Sequence, residues 1–182
     1  MLRNVVRKTR AKRGFNLVEA AIVLGVIGLV IGGIWVAAAA VQSNLRKSDA
    51  SKGLIQIVQN VRNLYYGQSP SSTGAITTQL INANAVPGNF INGTTAVNPW
   101  NGAVTVSIAG TSNDQIDIAY EGVPRDGCIE LTSRNTNIST GVGLTQIVIG
   151  TVTVTSFPYL PTTAATDCST SNTVTWRFGL RG

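Results

Sequence analysis

Gly14-Phe15-Asn16-Leu17-Val18-Glu19 joins two stretches of opposite character. Before it lie Arg3, Arg7, Lys8, Arg10, Lys12 and Arg13, with no acid among residues 1–14. After it, residues 20–41 carry no charge at all. The last charge before that run is Glu19, at the fifth position after Gly14. An unpaired carboxylate on the edge of a membrane-length apolar run is costly, so its retention asks for a partner. A new amino terminus at Phe15 would supply one.

The junction changes what the bulk charge means. The chain has 14 basic and 8 acidic residues, a formal net charge of +6. Six of the basic residues fall in 1–14, which leaves eight against eight from Phe15 onward. The basicity therefore belongs to a leader and not to a surface made for nucleic acid. A Lys/Arg cluster ahead of an apolar run predicts that the amino terminus stays cytoplasmic while the remainder crosses.

Residues 20–41 are long enough to cross the hydrocarbon of a bilayer as a helix. Gly25, Gly28, Gly32 and Gly33 interrupt them, and Gly28 with Gly32 forms a G-x-x-x-G pair. Small residues let helix backbones approach closely, which predicts packing against other helices. Glycine is also simply frequent in membrane helices. Ala38-Ala39-Ala40 offers an alternative, an ordinary signal-peptidase site before Val41, but the apolar run exceeds the usual signal length. Lys12-Arg13 lacks the arginine pair of a twin-arginine signal.

Beyond residue 42 the chain turns polar, yet Leu45, Leu54, Ile57, Val58, Val61, Leu64 and Tyr65 recur at helical spacing. That is the apolar face of an amphipathic helix. Proline is absent from 15–69, and Gly67 followed by Pro70 is a stop signal. One helix over about 15–66 is expected. Its first part, 15–41, belongs to a membrane or filament core, and its second, 42–66, to a folded head.

These residues resemble the class III signal of type IV prepilins. The resemblance implies cleavage by prepilin peptidase between Gly14 and Phe15 and N-methylation of Phe15. It implies too that Glu19 meets the Phe15 amine of a neighbouring subunit. A leader of this length and a proline-free apolar helix resemble type IVb pilins, whereas Phe15 as the new terminus is more typical of type IVa. Asn98-Pro99-Trp100-Asn101-Gly102-Ala103-Val104-Thr105-Val106, and Val123-Pro124 ahead of Cys128, resemble a type IVb head. The pilin fold is then expected: α+β, a long amino-terminal helix packed on an antiparallel β-sheet head over 67–182.

Within that head, 67–102 reads as a connecting loop with at most a short helix over 75–83. Residues 103–108 and 115–120 alternate with period two around a turn-rich break, which reads as a hairpin with one covered face. Residues 144–155 and 173–178 are further strand candidates, rich in Val, Ile and Thr. Pro124 suits the start of a short helix to about 133. The two cysteines, Cys128 and Cys168, would meet an oxidising compartment after export. By the resemblance they form a disulfide framing a variable, surface-displayed region, 129–167.

Catalysis finds little support. The chain has no histidine, so Ser-His and Cys-His nucleophiles are excluded. Two cysteines without histidine do not make a usual zinc site, and no cofactor is expected. Asp114, Asp117, Glu121, Asp126, Glu130 and Asp167 read as scattered, solvated acids. Arg125, Arg134, Arg177 and Arg181 lack the interleaved aromatics of a single-strand nucleic-acid groove. The function implied is that of a structural pilus subunit for adhesion, conjugation or surface contact, working in the inner membrane and then outside the cell. Its partners would be identical subunits, prepilin peptidase and the assembly machinery, with no nucleic acid. A minor pilin or secretion pseudopilin is the alternative, and a non-polymerising, singly anchored periplasmic binding protein is a second.

Overall fold

The computed structural model describes residues 16–68, 70, 73–139 and 142–180, without the side chains of 135–139. Its first helix, α1, is Leu17–Leu64. The chain divides into two compact units between Gln42 and Ser43. The amphipathic end of α1 thus folds with the head. Every buried core residue among those described lies at or beyond Ala50.

The head is built on six strands. They are β1 (Gly74–Ala75), β4 (Val104–Ala109), β5 (Gln115–Pro124), β6 (Leu144–Ile149), β7 (Val152–Val154) and β8 (Ser171–Gly179). Their order is β1-β4-β5-β8-β6-β7, and every pairing is antiparallel. β8, the last of these strands in sequence, lies between β5 and β6 and joins the two halves of the sheet.

The alternation in β4 and β5 has its period-two consequence. Val104, Val106, Ile108, Ile116, Ile118 and Tyr120 are buried on one face. β8 adds Val174, Trp176 and Phe178, and β6 adds Ile147 and Ile149. Against them lie Ala50, Leu54, Ile57, Val58 and Val61 of α1. Residues 50, 54, 57, 58 and 61 fall on one side of a 3.6-residue helix, which is why a sequence stripe becomes a sheet-covering face.

An aromatic stack fixes this interface. The Tyr120 ring lies 6.0 Å from that of Phe90 and 5.2 Å, edge-on, from that of Trp176. Its hydroxyl donates to the carbonyl of Ala50 at 3.3 Å, whereas the buried Trp176 Nε1–H finds no partner among the described residues. Burial pushes the Tyr120 hydroxyl well above its ordinary pKa. Gly53 stands in α1 where a Cβ would run into the Phe90 ring. A mid-helix glycine costs about 1 kcal/mol in propensity, and here that cost makes room for an aromatic ring.

Several expectations need correction. The 67–102 segment is not merely a loop with one helix. It carries β1, α2 (Thr77–Asn82), a 3-10 turn (Gly88–Phe90) and a small separate hairpin of β2 (Ile91–Asn92) and β3 (Thr95–Ala96). It also buries Leu80, Ala85, Val86, Phe90 and Ala96, so it is part of the core. Residues 144–155 are two strands, because Gly150 at φ 58° turns the chain back. The helix after Pro124, α3, is Arg125–Ser139 and runs past residue 133. The disulfide-framed segment is not simply displayed. It contains most of α3, all of β6 and β7, and α4 (Pro161–Asp167), and it buries Leu131, Ile147, Ile149 and Ala164.

Candidate assembly surface

The helix start is built by Asn16, whose side-chain Oδ1 accepts from the Val18 N–H at 3.4 Å and whose carbonyl accepts from Ala20 at 3.1 Å. That is an N-cap arrangement. Glu19 is then the third helical residue, where a carboxylate is favoured by the positive end of the helix dipole. Glu19 is exposed and makes no ion pair among the described residues. Gly14 and Phe15 lie outside the described residues.

The segment that follows is apolar on every side. Leu24, Ile27, Leu29 and Val30 point in four different directions from the axis, yet they are 69, 47, 79 and 52% exposed. No face of this segment is therefore the hidden face of a soluble core helix. It reaches a mean hydropathy of 2.5, long and apolar enough to cross a membrane. A contiguous apolar surface of this kind requires lipid or other apolar helices around it. At Gly25, Gly28, Gly32 and Gly33 an added Cβ would meet open space within this chain. Gly25, Gly28 and Gly32 share one side of the helix, and Gly33 lies round from it.

The head presents no catalytic constellation among the described residues, and no group of three or more His, Cys, Asp or Glu that could hold a metal ion. Several of its charged groups are spent on architecture. Cys128 and Cys168 are joined, with Cα atoms 6.0 Å apart, and the bridge ties α3 to the end of α4. Lys47 Nζ lies 3.0 Å from Asp126 and 3.4 Å from Glu130, binding α1 to the first turns of α3. Partial burial works against the Lys47 ammonium, but its hydrogen bonds and attraction to Asp126 and Glu130 outweigh that and raise its pKa. At Asp126 the same partial burial is outweighed by Lys47, with the Ser43 hydroxyl and the Gly127 N–H, and the carboxyl is lowered.

These contacts overturn the reading of Asp117, Asp126, Glu130 and Asp167 as scattered, solvated acids, while Asp114 and Glu121 are exposed as expected. Arg177 reaches Asp117 across β5 and β8 in a two-pronged pair of 2.7 and 2.6 Å. Arg134 pairs with Glu130, and Arg125 donates to the Ala165 carbonyl at 2.8 Å. Tyr159 donates a short hydrogen bond to Asp167. Arg181 lies outside the described residues. Arg125, Arg134 and Arg177 are thus each committed to a partner within the head.

Three positions escaped the sequence. Arg62 on α1 donates to the carbonyls of Val142 at 2.7 Å and of Gly179 at 3.0 Å, clamping the end of β8 to the helix. Asn98 organises its turn: Oδ1 accepts from Trp100 and Gly102, and Nδ2 donates to Glu121 at 2.7 Å. The third, Lys47, left a signal that could have been read, for residues 47, 54, 58 and 61 share a helical side. A cation on that stripe had to meet anions of the head.

Comparison with known proteins adds the family. The model described as PilS N terminal matches residues 44–178. The major structural subunit of bundle-forming pilus of Escherichia coli O127:H6 (strain E2348/69 / EPEC) is 25% identical over 164 residues. That match covers 86% of this chain and 81% of the relative. The corresponding subunit of Escherichia coli O111:H- is 24% identical over 145 residues, 76% of this chain and 72% of its own. The crystal structure of a type IV b pilin from Salmonella typhi superposes with a TM-score of 0.56 at 20% identity. It covers 73% of this chain and 98% of that one, a likeness of fold.

Proposed function

This chain belongs to the PilS N-terminal family, and from that premise we propose that it is a structural subunit of a type IVb-like pilus, assembled through its amino-terminal helix. The observation that carries the reading is the apolar, uncovered segment 17–41 with a single charge, Glu19, in its first turn. A helix bare on all sides is suited first to lipid and then to a bundle of identical helices. In such a bundle the glycines at 25, 28, 32 and 33 let backbones approach. Residues 1–14 act as a leader, removed by prepilin peptidase between Gly14 and Phe15, and the new Phe15 amine is methylated. The subunit waits in the inner membrane and is drawn into the filament by the assembly machinery. The relatives are named as major subunits, which favours a major over a minor role.

Glu19 pairs with the Phe15 amine of a neighbour, because two charges in an apolar core are tolerable only together. Replacing Glu19 with Ala leaves the amine unpaired there, a cost of about 3–5 kcal/mol. It leaves insertion untouched, since the apolar run spans without it. The expected outcome is a cleaved, membrane-resident Glu19→Ala protein that is depleted from sheared filaments relative to the membrane pool. Equal filament yield would sink the pairing. A mature terminus at Val41, read by intact mass, would sink the processing as well.

A further inference from the structure

We propose that Asn92 is a site of spontaneous deamidation, while Asn101, in the same dipeptide context, is protected by the fold. The inference is independent of the pilus reading. The chain contains two Asn-Gly pairs, Asn92-Gly93 and Asn101-Gly102. Glycine after asparagine leaves the following peptide nitrogen free of a Cβ, so that nitrogen can reach the asparagine side chain. Sequence alone makes the two equivalent.

The structure separates them through the state of that nitrogen. The reaction begins when the glycine N–H gives its proton to a solvent base. At Asn101-Gly102 the N–H is engaged, donating to Asn98 Oδ1 at 3.1 Å. The Asn98 main-chain carbonyl holds the Asn101 N–H at 2.8 Å, and Asn101 sits at φ 66°. Gly102 is half-buried and lies against the Glu121 carbonyl, with no room even for a Cβ. Closing a ring there requires breaking the turn that Asn98 organises.

Asn92-Gly93 is the opposite case. Asn92, Gly93, Thr94 and Thr95 are all exposed at the tip of the β2–β3 hairpin, and a Cβ on Gly93 would meet nothing. No partner holds the Gly93 N–H among the described residues. The ladder is only two residue pairs, Ile91 with Ala96 and Asn92 with Thr95, separate from the main sheet. So short a ladder opens locally at little cost. The Thr95 hydroxyl donates to the Asn92 carbonyl at 2.9 Å. That carbonyl oxygen is where the negative charge of a deprotonated Gly93 nitrogen delocalises, and a hydrogen bond to it favours the reactive anion.

The steps balance without redox chemistry. The Gly93 nitrogen attacks Asn92 Cγ, a C–N bond forms, the bond from Cγ to its amide nitrogen breaks, and ammonia leaves with a solvent proton. Water then opens the cyclic imide. Cleavage between nitrogen and Cγ gives aspartate; cleavage between nitrogen and the main-chain carbonyl carbon gives a β-linked aspartate. Either product adds one negative charge at the hairpin tip. The β-linked product also adds a methylene to the main chain at the residue paired with Thr95 and so disturbs that ladder.

The test is peptide mapping with mass detection of the full-length protein, held folded in mildly alkaline buffer over a time course, with Asn101 as the internal reference. Asn92 should convert at least roughly tenfold faster than Asn101, the factor expected from one hydrogen bond that must first break. In denaturant the two rates should become similar. Thr95→Val, which keeps the branched shape without the hydroxyl, should slow Asn92 roughly two- to tenfold. Equal rates in the folded protein overturn the proposal. So does a preference that persists in denaturant, or a Thr95→Val protein that converts as fast as the parent.

Discussion

Replacing Gly53 with Ala pits two effects of known sign against each other. The substitution gains about 1 kcal/mol of helix propensity in α1. It also places a Cβ against the ring of Phe90, meeting Cε2 at 2.6 Å and Cε1 at 3.0 Å. Overpacking of a filled core costs about 1–3 kcal/mol. The ring has little room to retreat: Phe90 is wholly buried, and Tyr120 and Trp176 stack behind it. Contacts this close to a buried ring belong at the upper end of that range, so the expected net loss is about 2 kcal/mol, an overpacking cost of about 3 kcal/mol minus the propensity gain. Urea unfolding of a head fragment beginning at Ser43 measures it, and all buried core residues are within that fragment. Phe90→Leu should relieve the clash, so the double variant should be more stable than the two single losses added together, by about 1 kcal/mol. A Gly53→Ala head as stable as the parent would refute the idea that the glycine is there for the ring.

Two further perturbations follow from the head. Cys128 and Cys168 are 40 residues apart, and replacing both with Ser should cost about 4 kcal/mol by the loss of loop closure in the unfolded chain; urea melts of the Ser43 fragment read the loss directly. Lys47→Met keeps the packed stem and removes the charge, and should cost no more than about 1 kcal/mol, because Asp126 is more than half exposed. That cost has a pH window. The Asp126 carboxyl is lowered on folding, so its contribution is complete above the ordinary 3.8 and is lost as pH falls through the folded value. The Lys47 ammonium is raised, so its contribution is complete below the ordinary 10.5 and is lost as pH rises through the folded value. The difference between parent and Lys47→Met should therefore be flat across neutral pH and shrink at both ends.

What the sequence could reveal depended on the range of the interaction. The apolar run, the stripe from Leu54 to Val61 and the alternation in β4 and β5 are local periodicities, and each states which face is covered. They were enough for an α+β head under a long helix. The placement of β8 beside β5 is a pairing across 47 (Pro124 with Ser171) to 64 (Gln115 with Gly179) residues of chain, for which periodicity carries no signal. Gly150 looked like one glycine in a continuous run of β-formers, because the run's composition does not record a positive φ. The polar ties were the least legible. Asp117 and Arg177 are 60 residues apart, and either one alone reads as a solvated charge.

The two units therefore call on opposite kinds of physics. In the head, Arg62, Arg125, Arg134, Arg177, the Lys47 ammonium and the Tyr120 hydroxyl find partners within the same chain, as groups near a core must. Over 17–41 the reverse holds: apolar side chains stand uncovered, the glycines face open space and Glu19 has no ion-pair partner among the described residues. On the proposed reading, the uncovered segment is completed by surroundings that the single chain does not supply, and Glu19 is the position where those surroundings offer charge as well as apolar contact.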